Sequence, residues 1–161
     1  MTDAPVLSSG SRQVWRVAPA LVLVFAVVGC AGEPEESDVC VETIGLECTP
    51  AYEPNYDAVY ANLLGKTCGA ASTGNVCHAV PTARGSHNGL VLANPDQSYD
   101  NLLGLTGGRA FVIPGNPECS VLIQRLESND PGFRMPVGSA PLSLAERCVV
   151  RHWVAAGALR Q

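Results

Sequence analysis

Four stretches after residue 54 carry apolar residues at helical spacing. The first follows Asn55, a candidate N-cap residue, and is predicted to end at Gly65. Its apolar positions fall at i, i+3, i+4, i+7 and i+8, and they are Tyr56, Val59, Tyr60, Leu63 and Leu64. The second is a shorter helix that Ser98 would cap, with Tyr99, Leu102 and Leu103 as its apolar residues. Both patterns are typical of amphipathic helices that bury one face.

The other two stretches have stronger start signals. Asn116-Pro117 combines an N-cap residue with proline at the first helical position, and it predicts a helix to about Leu126. The apolar stripe of that helix is Cys119, Leu122, Ile123 and Leu126. Ser143 and Glu146 form the capping box of the last helix, which is predicted to end at Gly157. Its predicted buried face is Leu144, Cys148, Val149, His152, Trp153 and Ala156.

Loops rich in glycine and proline separate these helices. The pattern therefore predicts an all-α fold, a small helical domain with long loops over residues 55–161. A domain of this size buries a limited core, so a covalent cofactor or disulfides would help to stabilise it.

The N-terminus has the layout of a lipoprotein signal peptide. Two arginines precede an almost continuous apolar run from Val17 to Gly29, which is too short for a comfortable transmembrane helix. Cys30 ends the run as in a bacterial lipobox, where the cysteine is lipidated and becomes the first mature residue. We therefore expect residues 1–29 to be removed and Cys30 to hold the chain to a membrane, outside the cytoplasm. The alternative is an ordinary signal peptide or an uncleaved anchor.

Acidic residues dominate the segment that follows. Between Ala31 and Gly65 there are eight acids and no lysine or arginine, whereas the rest of the chain is slightly basic. Residues 30–54 are also rich in small and polar residues, and they are predicted to form a flexible, solvated tether. The formal net charge of −5 gives no broad basic surface, so we expect no nucleic-acid partner.

Seven cysteines favour an oxidising compartment such as the cell envelope. If Cys30 carries a lipid, six remain, which is an even number. Cys40 and Cys48 are predicted to form a small local disulfide. Cys119 and Cys148 lie on the apolar faces of two helices that are expected to pack together, so they are predicted either to form a disulfide or to remain buried thiols.

The segment from Cys68 to His78 has the most distinctive chemistry. A cysteine followed directly by histidine, with another cysteine upstream, is the core of a c-type haem attachment motif, although eight residues separate the two cysteines here instead of two. Both sulfurs could attach to haem if the loop bulges, Cys77 could attach alone, or Cys68 and Cys77 could form a disulfide without haem. A zinc set with His87 is the remaining alternative, but adjacent ligands at 77 and 78 fit tetrahedral zinc poorly.

Five motifs in the order of one family extend this interpretation. After Cys77-His78 come G-L-V-L at 89–92, P-G-N-P-E-C-S-V-L at 114–122, M-P at 135–136 and W-V-A-A-G-A at 153–158. Residues 55–158 therefore resemble the class I-like mono-haem cytochrome c domain, in the divergent form found in bacterial envelope proteins and lipoproteins.

The resemblance implies a function and a set of site residues. Cys68 and Cys77 would hold one haem c through thioethers, and His78 and Met135 would be the axial ligands of its iron. The protein would then be an electron carrier in the cell envelope, facing the periplasm or cell surface, that meets unidentified redox proteins in weak contacts. It would not be an enzyme, since no catalytic motif is present. The alternative is a haem-less, disulfide-stabilised relative that acts as a structural or binding module.

Overall fold

The protein is all-α over the residues that the computed structural model describes, which are 40–41, 45–69, 77–86 and 88–160. These ranges contain four α-helices and no strand: α1 (Tyr56–Val59), α2 (Pro95–Leu103), α3 (Val121–Glu127) and α4 (Leu144–Ala155). A π-helical segment (Tyr60–Cys68) continues α1, and a 3-10 turn spans Arg84–Ser86. The all-α prediction is therefore confirmed for this part of the chain. The predicted signal peptide, Cys30 and His87 lie outside the described residues.

The first helix begins as predicted and ends later than predicted. The Asn55 side chain accepts a hydrogen bond from the amide of Ala58 at 2.9 Å, which caps α1. The helix does not stop at Gly65, because the chain widens into the π-helical segment. There the Gly69 amide donates to the carbonyl of Leu64, five residues back, at 2.8 Å. Four residues of the predicted stripe are buried and Tyr60 is partly buried.

Two other helix starts differ from their predictions. Asn94, not Ser98, caps α2 by accepting from the amide of Gln97 at 2.9 Å, and Pro95 occupies the first turn. Asn116 accepts from the Cys119 amide at 3.2 Å in a turn, and α3 begins only after Ser120. An asparagine followed by proline starts a turn as readily as a helix, which explains the displaced start of α3.

Helix α4 forms the centre of the core. Its predicted capping box is present, because Ser143 and Glu146 exchange side-chain and backbone hydrogen bonds. Trp153 is buried, and its ring lies 5.6 Å from the ring of Tyr56 on α1. Tyr99 of α2 meets the same tyrosine edge-on at 4.9 Å. Burial of aromatic rings of this size dominates the energetics of a small core. The predicted face was wrong at Leu144 and Ala156, which are exposed, and His152 is only partly buried.

The chain before α1 packs against the domain. We define the N-terminal arm as residues 40–41 and 45–54. The amide of Val41 donates to the carbonyl of Glu118 at 3.0 Å, and the amide of Ala51 donates to the carbonyl of Ala145 at 3.1 Å. The sequence predicted a flexible spacer here, but the described part of it is hydrogen-bonded to the segments around α3 and α4.

Two disulfides fix the arm. Cys40 is bonded to Cys119, and Cys48 is bonded to Cys148. All four predicted cysteines therefore form disulfides, but the predicted pairs Cys40–Cys48 and Cys119–Cys148 were wrong. The reason is the path of the arm, which runs back along the helices and brings each of its cysteines to a partner there. Within the described ranges, no helix is long and apolar enough to cross a membrane.

Candidate functional site

The ends of the unusually long Cys68–Cys77 spacing lie together. The amide of His78 donates to the carbonyl of Cys68 at 3.2 Å, and the carbonyl of His78 accepts from the amide of Leu92 at 2.7 Å. Cys68 closes the π-helical segment, so the helix end, the Cys77-His78 pair and the chain at Leu92 form one cluster. We call this cluster the Cys–His site. The sequence predicted that its residues meet, and the structure brings Cys68 and His78 together.

The orientation of the His78 ring determines its chemistry. The ring is buried, with 8 % of the residue exposed, and Nδ1 lies 3.1 Å from the carbonyl oxygen of Leu90. Because a carbonyl oxygen only accepts, Nδ1 must carry the proton, and Nε2 of the neutral ring keeps its lone pair. Metal-binding histidines commonly make such a hydrogen bond through their other nitrogen.

Burial also keeps the ring neutral. Loss of solvent lowers the pKa of His78 from its ordinary value of 6.5, and the hydrogen bond with Leu90 offsets part of this effect. At neutral pH the side chain is therefore an uncharged imidazole, which is the form that binds metal ions.

Gly85 lies directly against the free nitrogen of His78. A Cβ atom at this position would lie 2.7 Å from Nε2 of His78 and 2.5 Å from the carbonyl oxygen of Cys77. The Gly85 amide also donates to that oxygen at 2.8 Å. Sequence reasoning missed this residue, because a glycine in a loop rich in glycine gives no sign that a histidine ring lies against it.

The two cysteines of the site are thiols. Neither Cys68 nor Cys77 is in a disulfide; Cys68 is partly buried and Cys77 is exposed. Burial, with a smaller contribution from neighbouring Cys77, raises the pKa of Cys68 to about 11. Cys68 therefore stays protonated at neutral pH, whereas the Cys77 sulfur is open to solvent.

The hydrogen bonds of Met135, the predicted second axial residue, lead to a different segment of the chain. Met135 lies on the loop between α3 and α4, where its amide donates to the carbonyl of Arg125 at 2.8 Å. Its side chain is partly buried and packs against the core. The hydrogen bonds that hold Met135 lead to α3, while those that hold His78 lead to the π-helical segment and Leu92.

Arg134 and Arg109, on the loops between the helices, have local contacts. Arg134 donates to the carbonyl of Ser139 in its own loop at 3.3 Å. Arg109 lies 5.9 Å over the Phe111 ring, beside a cleft of about 310 Å³ that also contains Asn88 and Asn101. This cleft is lined mainly by polar residues and glycines and does not include His78.

Comparisons with protein-family models, curated proteins and solved structures find no match for this chain.

Proposed function

We propose that this protein is a lipid-anchored, cytochrome c-like electron carrier with one covalent haem at Cys68, Cys77 and His78. The observation that carries the proposal is the state of the Cys–His site. A buried neutral imidazole presents Nε2 as a ligand, and it lies beside two thiols while the other four described cysteines are in disulfides. Thioether attachment requires thiols, and haem iron requires an unprotonated imidazole nitrogen.

The long spacing between the cysteines is compatible with this function. The hydrogen bond from His78 to the Cys68 carbonyl brings the two ends of the intervening loop together, as a short spacing would do. The exposed sulfur of Cys77 is the more accessible of the two for attachment. The Leu90 carbonyl orients the imidazole, and the lack of a side chain at Gly85 prevents a Cβ atom from clashing with Nε2.

When bound, the haem would supply one-electron chemistry between Fe(II) and Fe(III). Met135 is the proposed second axial ligand, because it is the only methionine besides Met1 and the loop that carries it matches the order of the family motifs. We further propose that a lipid on Cys30 holds the domain to a membrane of the cell envelope. Its partners would be redox proteins, met through weak contacts, and it would have no substrate turnover of its own.

A haem-less binding or structural module is the second candidate. The observation in its favour is that the described domain has a closed core and two long-range disulfides that need no cofactor. The buried, protonated thiol of Cys68 is also a poor nucleophile in its present surroundings.

Expression with a c-type maturation system separates the two candidates. The electron carrier is expected to be red, with a Soret band, and to give a haem-stained band after denaturation. Cys77→Ala should abolish covalent haem, whereas Cys68→Ala should leave a species with one thioether. Met135→Ala should keep the covalent haem but lower its reduction potential, because it removes the proposed thioether ligand.

A matched control removes cysteines outside the site. The double variant Cys40→Ala/Cys119→Ala should keep its covalent haem, since these residues form a disulfide elsewhere in the fold. A colourless wild-type protein, with an intact mass that shows no haem, would refute the electron carrier and favour the haem-less module.

A further inference from the structure

A second group of metal-ligating residues lies away from the Cys–His site. One ligand atom from each of Cys48, Cys148 and His152 lies within 4.8 Å of the other two. In the oxidised protein the two sulfurs form a disulfide. We propose that the reduced protein binds a thiophilic divalent cation such as Zn²⁺ at these three residues, in place of the disulfide. This proposal does not depend on haem binding at Cys68 and Cys77.

The three ligands come from two elements of the fold. Cys148 and His152 are four residues apart on α4 and therefore lie on the same face of the helix. Cys48 reaches them from the N-terminal arm, 100 residues earlier in the chain. The sequence alone suggested only a packed cysteine beside a histidine, because the third ligand is distant in the chain.

A backbone carbonyl orients the histidine for this role. Nε2 of His152 lies 3.0 Å from the carbonyl oxygen of Leu46 in the arm. The proton between them must be on Nε2, so Nδ1 of the neutral ring keeps its lone pair. The arrangement matches the second hydrogen bond that metal-binding histidines usually make.

The positive charge beside the three residues is partly neutralised. Arg147 and Arg151, the neighbouring arginines on α4, both bind the carboxylate of Glu127 at 2.6 Å, which offsets part of their positive charge. His152 lies in the last turn of α4, where the helix dipole attracts cations. Two thiolates and one neutral imidazole balance the charge of Zn²⁺, and a water molecule can complete a tetrahedral site.

The partial exposure of Cys48 permits reduction of the Cys48–Cys148 disulfide. Cys148 is buried, whereas Cys48 and His152 are partly exposed. A protein dithiol would attack the Cys48 sulfur, release Cys148 as the leaving thiol and be oxidised to its own disulfide as it gives up two electrons and two protons. The cation then replaces the two thiol protons of Cys48 and Cys148, which pass to solvent.

The test uses Co²⁺ as a spectroscopic probe. The full chain with Cys68→Ser/Cys77→Ser, which removes the two thiols of the Cys–His site, is reduced with a phosphine without oxygen and titrated with Co²⁺. We expect one equivalent of Co²⁺ to bind. The absorption spectrum should then show thiolate charge-transfer and tetrahedral ligand-field bands, and added Zn²⁺ should remove both by displacing Co²⁺. The oxidised protein should give neither band. His152→Gln in the same background should weaken binding at least about tenfold, because it removes a ligand.

The second disulfide supplies the control. Adding Cys40→Ser/Cys119→Ser should leave Co²⁺ binding unchanged, because those cysteines are not at the proposed site. The proposal is overturned if binding disappears in that control or is unaffected by His152→Gln. It is also overturned if the reduced protein, with its helical content checked by circular dichroism, gives no thiolate bands.

Discussion

One backbone carbonyl, that of Leu90, determines which nitrogen of His78 can act as a ligand. The sequence could identify His78 as a candidate, because a histidine directly after a cysteine is characteristic of haem attachment. It could not give the tautomer, since the partner of Nδ1 is a backbone oxygen in a loop without a regular pattern. The role of Gly85 was hidden for the same reason.

The lowered pKa of His78 makes the stability of the haem-free protein depend on pH. Its folded-state pKa lies below the unfolded value of 6.5, so the unfolded state binds the proton more readily. The stability from the neutral ring is complete above pH 6.5 and is lost as the pH falls through the folded-state pKa. Urea unfolding of protein made without a maturation system should show that the urea concentration at the midpoint decreases as the pH drops below 6.5.

His78→Gln should weaken this dependence because glutamine does not titrate. The carboxyl of Glu146 is held below its ordinary pKa of 4.5 by hydrogen bonds from Ser143, so its contribution is lost only at lower pH. The pH range in which the contribution of His78 is lost therefore lies above the range in which that of Glu146 is lost. An unchanged fall in the midpoint between pH 6.5 and 5 in His78→Gln would contradict the assignment.

At the level of elements, the apolar pattern predicted which side of the first helix is buried but not its hydrogen-bond register. A stripe at i, i+3 and i+4 fits α- and π-helical turns alike over a short distance, so the transition at Tyr60 left no sign in the sequence. Gly65 suggested a helix end, but its position has a packing reason. A Cβ atom there would lie 2.8 Å from the Tyr60 ring.

The end of the π-helical segment makes a tighter contact that can be tested. A Cβ atom at Gly69 would lie 2.6 Å from the carbonyl carbon of Leu92, and closer still to its oxygen. Gly69→Ala should therefore push apart two backbone segments of the Cys–His site and lower the free energy of unfolding by about 2 kcal/mol or more. Urea unfolding measures the change.

Gly108→Ala is the matched control for this substitution. No atom lies within 4 Å of a Cβ atom at Gly108, so we expect a change within about 0.5 kcal/mol. If Gly69→Ala is as stable as Gly108→Ala, this result would contradict the close contact between the helix end and Leu92.

For the molecule as a whole, the sequence indicated which cysteines form disulfides but not how they pair. A cysteine count leaves several connectivities open, and nearness in the chain favoured the local pair Cys40–Cys48. The true partners follow from the course of the arm, whose polar and acidic residues gave no sign that it would pack against α3 and α4. The helical content followed from the local pattern, whereas this arrangement depends on tertiary structure.

Peptide mapping without reduction should find Cys40 linked to Cys119 and Cys48 linked to Cys148. Both cross-links close long stretches of chain, so Cys40→Ser/Cys119→Ser should lower the free energy of unfolding by about 2–5 kcal/mol. The variant Leu105→Ser, at an exposed apolar position, is a control expected to change it by less than about 0.5 kcal/mol. Recovery of a Cys40–Cys48 peptide would contradict the structure.

The disulfide at Cys40 also sets how far the domain can travel from its proposed anchor. A free spacer from Cys30 to residue 54 would allow a distance of up to roughly 85 Å between the anchor and the domain. With Cys40 bonded to Cys119, only the stretch from 30 to 40 can extend between the anchor and the domain, and its full length is roughly 35 Å. A lipid on Cys30 would therefore confine this domain to a layer close to the membrane surface. Partners embedded in that same membrane would lie within its reach.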